Sequence, residues 1–239
     1  MRVRGSAALI TGGSRGLGRA LGAELARRGA RVVLVARNGE ALRRTVEEIR
    51  RAGGEAHALV ADVGEKDAIY PLVGAVTALA GPIDLLVHNA SVLGPVPLLP
   101  LADTDCEALQ QVLDVNLVGP FRLTQAIVGS MAIRGAGLVL SISSDAAING
   151  YPGWGAYGVS KAGLDHLIRT WAAEVPAVRF ASIDPGEMDT DMHADAMPDA
   201  DRSTLRDPQE VARWIADWLE RAEDTPSGAR VEAALEVHA

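Results

Sequence analysis

Tyr157 and Lys161 stand four residues apart in Tyr157-Gly158-Val159-Ser160-Lys161, and Ser144 lies thirteen residues before the tyrosine. On a helix this spacing puts a phenol and an ammonium on one face. A neighbouring cation favours phenolate over phenol, so the spacing predicts a Tyr157 pKa drawn from about 10 toward working pH. A tyrosine tuned in that way exchanges a proton with a carbonyl or alcohol oxygen. Ser144 adds a hydroxyl able to hold the same oxygen. Tyr and Lys also meet at this spacing on many solvated helical faces, so the rest of the chain has to decide what the pair means.

The decisive neighbour is Thr11-Gly12-Gly13-Ser14-Arg15-Gly16-Leu17-Gly18. It falls between an apolar run and a helical pattern, where a dinucleotide site needs glycines. Missing side chains let backbone approach a pyrophosphate, and the helix that follows presents free N–H groups and a positive dipole end. The spacing is T-G-x-x-x-G-x-G rather than G-x-G-x-x-G. At the end of the second strand, where an NAD site places an acid for the ribose 2′-hydroxyl, Ala36 is followed by Arg37. Arg37, with Arg15 as a second cation, suits a 2′-phosphate, so NADP(H) is expected over NAD(H).

Short apolar runs alternate with helical patterns along the chain, the signature of a parallel sheet built from βαβ units. Strands are predicted at 6–10, 31–35, 56–60, 83–87, 137–142, 178–183 and 229–232. Helices are predicted from Leu17 to the stop at Gly29, around 42–49, at 68–79, at 105–124 with a bend near Gly119-Pro120, at 155–174 and at 210–221 after Pro208. No repeat, linker or low-complexity tract interrupts residues 1–239, which read as one domain.

Composition narrows the function classes. Charged residues are 23% and the formal charge is −8, with Lys and Arg dispersed rather than clustered, so nucleic acid is not an expected partner. No apolar run approaches a membrane span, and the first one leads straight into the glycine turn without a signal-peptide cleavage site. With one cysteine, Cys106, no internal disulfide is expected, and the cytoplasm is the expected address. His57, His88, His166, His193 and His238 lack ligand spacing and read as ordinary imidazoles, so no metal is expected.

Taken in order, these motifs make the chain resemble the short-chain dehydrogenase/reductase family in its single-domain form of roughly 250 residues. After the glycine turn come Asp62-Val63, His88-Asn89-Ala90-Ser91, Val115-Asn116-Leu117-Val118-Gly119, then Ser144, Tyr157 and Lys161, and finally Pro185-Gly186 with Thr190. The resemblance implies an α/β, Rossmann-like, doubly wound three-layer αβα sandwich with a mainly parallel seven-stranded sheet. It implies that Asp62 and Val63 meet the adenine. Asn89 and Ala90 would join Gly12, Ser14, Gly16, Leu17 and Gly18 in holding the cofactor, with Pro185, Gly186 and Thr190 at the nicotinamide end. Tyr157 would be the acid/base. Lys161 would lower its pKa and hold the nicotinamide ribose, and Ser144 would orient the reacting oxygen. Asn116 would hold a water that relays protons from Lys161. Spacing in the family selects Ser144 over Ser143, since only one of two adjacent strand residues faces the pocket. Relatives of this kind are commonly tetramers or dimers, so a homo-oligomer is implied.

The sequence departs from that pattern at His88 and Ser91, which replace Asn and Gly, and at Asp145, where the family more often has a small or apolar residue. Asp145 is read as solvated and harmless, although a pocket-facing carboxylate would select a polar or cationic substrate. The connection after Glu174 is about two residues short, a trimmed surface loop. Residues 187–205 should form a substrate lid. Seven acids occupy 184–201 without a Lys or Arg. Met188, Met192 and Ala196, with Met197 alongside, would line the inner face of a lid helix or simply pack on the protein. Tyr151, Trp154 and Met192 are candidate pocket walls, Trp154 equally a core residue. An acidic rim repels anions, so the expected substrate is a small neutral or cationic carbonyl or alcohol rather than a chain on an acidic carrier protein. The resulting reading is an NADP(H)-dependent oxidoreductase. The alternative is a non-catalytic NADP-binding regulatory protein of the same fold. A sugar-nucleotide epimerase or dehydratase would need more than the roughly fifty residues after Gly186.

Overall fold

The computed structural model describes residues 1–234. His238 lies outside them. Seven strands form one sheet: β1 Ala7–Thr11, β2 Arg31–Ala36, β3 Glu55–Val60, β4 Leu85–His88, β5 Leu138–Ile142, β6 Arg179–Asp184 and β7 Ala229–Glu232. Every pairing is parallel and the order is β3-β2-β1-β4-β5-β6-β7. The helices are α1 Gly16–Arg27, α2 Gly39–Arg51, α3 Ile69–Ala80, α4 Cys106–Leu113, α5 Gly119–Arg134, α6 Gly155–Glu174, α7 Asp191–Ala196 and α8 Pro208–Glu220. The architecture is the Rossmann-like, doubly wound α/β sandwich. Chain order reverses beside β1, between β1 and β4, so loops splay apart there at the carboxyl ends of the strands.

Both faces of the strands are covered, which is why they read as continuous apolar runs. Ala8, Ile10, Val32 and Leu34 face the layer of α1, α2 and α8. Ala7, Leu9, Val33 and Val35 alternate with them and face α3, α5 and α6. Leu34 occupies the space that side chains at Gly13 and Gly22 would need, with its Cβ 2.7 Å from the position of a Cβ at Gly13. Those two glycines therefore let α1 and its leading turn lie flat on β2.

Strand boundaries predicted from sequence shift by a residue or two, as at β4, which runs Leu85–His88 rather than 83–87. The helix predicted at 105–124 is more different. It breaks into α4, a π-helical turn at Asp114–Val118 and α5, which continues to Arg134. Pro120 offers no N–H to the residue four before it, and its ring crowds that carbonyl. A Cβ at Gly119 would lie 2.5 Å from the Val63 carbonyl oxygen. The helix thus widens just before this pair, and the widened turn carries Asn116.

Because Leu34 fills the groove left by two glycines, Leu34→Ala should cost about 3 kcal/mol of stability, within the usual 2–5 kcal/mol for such a truncation. Urea unfolding of the purified variant measures this, and a change below about 1 kcal/mol would mean the groove collapses around the smaller side chain.

Candidate active site

A cleft of about 810 Å³ opens at the carboxyl ends of the strands. Its wall gathers Gly12, Ser14, Arg15, Gly16, Leu17, Arg37, Asp62, Val63, Asn89 and Ala90 at one end. Toward the other end come Ser144, Tyr157, Lys161, Pro185, Gly186 and Thr190, with Tyr151, Trp154 and Met192 beside them. Two residues named from sequence are not on that wall. Gly18 lies behind the turn, where a Cβ would sit 2.3 Å from the Gly12 carbonyl oxygen and 2.5 Å from Asn89 Nδ2. It serves close packing and touches nothing in the cleft. Asn116 is the other: its side chain is buried and already engaged. Nδ2 donates to the Val92 carbonyl at 2.8 Å and to Ser160 Oγ at 3.0 Å, while Oδ1 accepts from the Val92 amide at 2.8 Å. Asn116 clamps the loop after β4 onto α6, and only one Oδ1 lone pair is left for a water.

The glycine turn fits a dinucleotide. Gly12 and Gly16 have φ of +70° and +53°, where side chains are strained. Asn89 Nδ2 donates to the carbonyls of Thr11 and Gly12 and holds the turn against β4. No side chain caps the start of α1, so its first N–H groups face the cleft free for a phosphate. Arg37 and Arg15 are exposed, each already beside an acid: Arg37 Nη1 is 3.6 Å from Asp62 and Arg15 Nη1 is 3.1 Å from Asp191. Such exposed pairs hold little energy and exchange readily for a phosphate partner. Asp62 also accepts from the Gly64 amide, which fixes its orientation.

At the reacting end, Lys161 Nζ is buried and donates to the Ile142 carbonyl at 2.8 Å. It lies 5.5 Å from the centre of the Tyr157 ring. Burial brings the ammonium pKa down to about 8, against the opposing pull of Asp165 and Asp184. Tyr157 departs from the sequence expectation. Burial pushes its pKa up to about 12 rather than down, with Asp184 and Asp145 adding to the rise and Ser144 and Ser91 opposing it. Spacing along a helix carries no information on desolvation, which is the largest cause here, and Lys161 is not among the groups that lower the Tyr157 pKa. Trp154 packs edge-on against Tyr157 with centroids 5.6 Å apart, so it is a wall of the cleft.

The two adjacent serines both border the cleft but engage different partners. Ser143 turns inward and donates to Asp165 at 2.7 Å. Ser144 donates to Asp145 Oδ1 at 3.0 Å and accepts from the Ala146 amide. Asp145 is exposed but stands at the cleft wall, where it also accepts from the Tyr151 hydroxyl at 2.8 Å. Asp145 is solvated as expected, yet it does not point away from the pocket: Ser144 and Tyr151 both hold its carboxylate at the cleft.

The segment over the cleft starts and ends at one pinch, where Arg206 exchanges backbone hydrogen bonds with Glu187 and Asp189. Within it, α7 is only six residues long and excludes Met188. Thr190 caps that helix by accepting from the His193 amide, so the chain is still extended at 188. Met188 both packs on the core layer and lines the cleft, where Met192 and Met197 join it, so both readings of the methionines apply.

Sequence reasoning passed over three contributors. The Ser91 Oγ is buried at the cleft, close enough to Tyr157 to oppose the rise of its pKa, and makes no well-formed hydrogen bond. Asp165 follows Lys161 by four residues, a visible i,i+4 pairing. Arg230 sits in the last strand, where a charge among short apolar residues was the available signal. His88 is buried with Nε2 2.8 Å from Thr124 Oγ1.

A family model for short chain dehydrogenases matches residues 6–201. A short chain dehydrogenase of Pseudocercospora fijiensis is 37% identical over 195 residues, covering 81% of this chain and 63% of that protein. The 3-oxoacyl-acyl-carrier-protein reductase FabG of Thermotoga maritima is 33% identical over 226 residues, 90% of each. Among solved structures, a short chain dehydrogenase from Shigella flexneri complexed with NADP superposes with a TM-score of 0.90 at 28% identity, over 98% of this chain and 99% of that one. The chain belongs to the short-chain dehydrogenase/reductase family, as an oxidoreductase acting on CH–OH or C=O groups.

Burial, then the nearby Lys161 charge, holds the His88 pKa down to about 3. Its imidazole signals should therefore stay constant in NMR spectra between pH 5 and 8. A midpoint near the ordinary value of about 6.5 would refute this account of its environment.

Proposed function

We propose that this protein is an NADP(H)-dependent reductase or dehydrogenase of a small neutral or cationic carbonyl or alcohol, with Tyr157 as its acid/base. Residues 1–239 act as one domain, with 187–205 as a lid over the substrate. The observation that carries this reading is the joint placement of Tyr157, Lys161 and Ser144 with the glycine turn on one cleft. The free start of α1, Arg37 and Arg15 support a phosphorylated dinucleotide there, and Lys161 and the Pro185-Gly186 turn support its nicotinamide end. The cofactor supplies or takes up the hydride.

In the reduction direction Tyr157 donates its proton to the substrate oxygen as negative charge builds there. Burial keeps the phenol protonated at neutral pH, the form that donates, and a cation beside it offsets the weaker acidity as negative charge passes to the ring. Lys161 stabilises the phenolate left behind and is itself close enough to neutrality to pass a proton on. Ser144 exchanges its bond to Asp145 for one to the substrate oxygen. Asn116 keeps the β4 loop and α6 in register, and its remaining Oδ1 lone pair is where a relay water would attach.

Asp145 and the acidic lid support the substrate class. A substrate ammonium or hydroxyl near the reacting carbon can take over the hydrogen bond that Tyr151 now gives to Asp145. A carboxylate-bearing substrate would meet repulsion at the same place. The similarity to FabG concerns a protein named for an acyl-carrier substrate, and the acids here oppose that substrate. With no helix among the described residues long and apolar enough to cross a membrane, a cytoplasmic homo-oligomer is the setting we propose.

Three outcomes test the reading. Tyr157→Phe should lower turnover by about 10²–10⁴-fold with NADPH affinity within about threefold of wild type, and unchanged turnover would reject the acid/base assignment. Arg37→Glu should weaken NADPH binding by at least about tenfold and leave NADH little changed, measured by nicotinamide fluorescence titration. On a panel of matched ketones, amine-bearing members should show a kcat/KM at least about tenfold above their carboxylate analogues, and Asp145→Asn should narrow that ratio. Rapid turnover of a carrier-protein-bound ketoacyl chain would overturn the substrate class.

A further inference from the structure

β7 supplies no residue to the cleft, yet one of its side chains reaches the three segments that carry the catalytic groups. Arg230 Nη2 donates to the Ser144 carbonyl at 3.2 Å and to Asp184 Oδ2 at 2.6 Å. Its Nε lies 3.5 Å from Asp165 Oδ2, and Nη1 donates to the exposed Glu232 at 2.9 Å. Asp184 ends β6 and, through Oδ1, accepts from the Gly186 amide at 2.9 Å, fixing the Pro185-Gly186 turn. Asp165 lies one helical turn beyond Lys161 and accepts from Ser143. We infer that Arg230 is a positioning residue: with Asp165 and Asp184 it forms a buried ionic bracket that fixes Ser144, α6 and the Pro185-Gly186 turn relative to one another. The inference rests on the proposed function for its consequence in turnover, but not for its consequence in charge.

The chemistry favours arginine at this position. Four oxygens are arranged around one planar group, and a guanidinium offers its donors in a fixed fork where an ammonium offers a single point. The side chains of Arg230, Asp165 and Asp184 are 15%, 4% and 8% exposed. Lys161 and Arg230 thus balance Asp165 and Asp184, one buried and one partly buried cation against two buried anions. Facing Lys161 are His88 from β4, held neutral, and Tyr157 from its own helix, both poor partners for a surplus charge. Asp165 Oδ1 and Arg230 Nε have no hydrogen-bond partner, so the Asp165 arm of the bracket acts through charge rather than a formed hydrogen bond. Removing the Arg230 charge leaves the carboxylates in excess. That favours protonated Lys161 and opposes ionisation of Tyr157, so both titrations move to higher pH.

The test compares wild type, Arg230→Met, Arg230→Lys, Asp165→Asn and the double variant R230M/D165N. The chain has only two lysines, Lys66 and Lys161, so carbon-13 NMR of the lysine side chains follows the Lys161 titration directly, with exposed Lys66 as internal reference. In R230M the Lys161 midpoint should rise by about half a pH unit or more, and D165N added to it should move it back. Turnover in R230M should fall at least about tenfold, with KM and NADPH affinity within about threefold, and the alkaline limb of alcohol oxidation should move upward with the lysine. R230K should recover the midpoint but only part of the turnover. A Lys161 midpoint unmoved in R230M, or wild-type turnover per folded molecule with only a lower melting temperature, overturns the inference. Should R230M fail to fold, D165N alone should lower the midpoint, and an unmoved one overturns it equally. Inactivity of the wild type on every substrate would defeat the proposed function instead, and the NMR midpoint would still decide the bracket.

Discussion

An ammonium taken out of water must be matched by oxygen atoms, and the reacting end of this molecule is built around that requirement at Lys161. Its Nζ is buried, donates to the Ile142 carbonyl at the end of β5, and faces Asp165 on its own helix and Asp184 at the end of β6. An unmatched buried charge would cost several kcal/mol, so α6 has to dock with this turn against these strand ends. Once it docks, Tyr157 one turn earlier is carried to the cleft, and Ser144, two residues past Ile142, is carried to the same place. The placement of Tyr157, Lys161 and Ser144 on one cleft follows from solving a solvation problem.

Close approach of backbone does the corresponding work at the dinucleotide end. Gly12 and Gly18 allow the turn to meet Asn89, Gly13 and Gly22 admit Leu34, and Gly119 lets the π-helical turn lie on the Val63 carbonyl. Each is a place where a methyl group would collide with main chain or a packed side chain. Asn116 then ties the widened turn to the β4 loop and to Ser160. Two ends of one cleft, assembled by different physics, are held in register by that amide.

Acidic groups gather at the substrate end without stiffening it. Asp145 holds Ser144 and Tyr151, Asp191 meets Arg15, and Asp189 pairs with Arg202. All three are surface contacts of low energy that a ligand can displace. The partly buried Arg230 with the buried Asp165 and Asp184 is of the other kind, where breaking one arm strands a carboxylate. A firm bracket thus lies beneath the cleft, and exchangeable contacts lie above it.

Much of this protein is legible from residue order. Alternating apolar runs and helical patterns determine a parallel α/β sheet, because a strand covered on both faces and a helix covered on one leave different periods. The glycine turn and the Tyr157–Lys161 spacing are likewise local, since each needs only its own backbone geometry to be recognised. What folding alone decided depends on groups distant in sequence. The direction in which the Tyr157 pKa moves depends on how much water the packed chain excludes from it. Whether Asp145 faces the cleft depends on Ser144 and Tyr151 meeting it there. The burial of Asn116 as a clamp, and the reach of Arg230 to Ser144 across 86 positions, arise when strands far apart in the chain become neighbours. Desolvation and long-range charge pairing are properties of the packed interior, and a linear pattern carries neither.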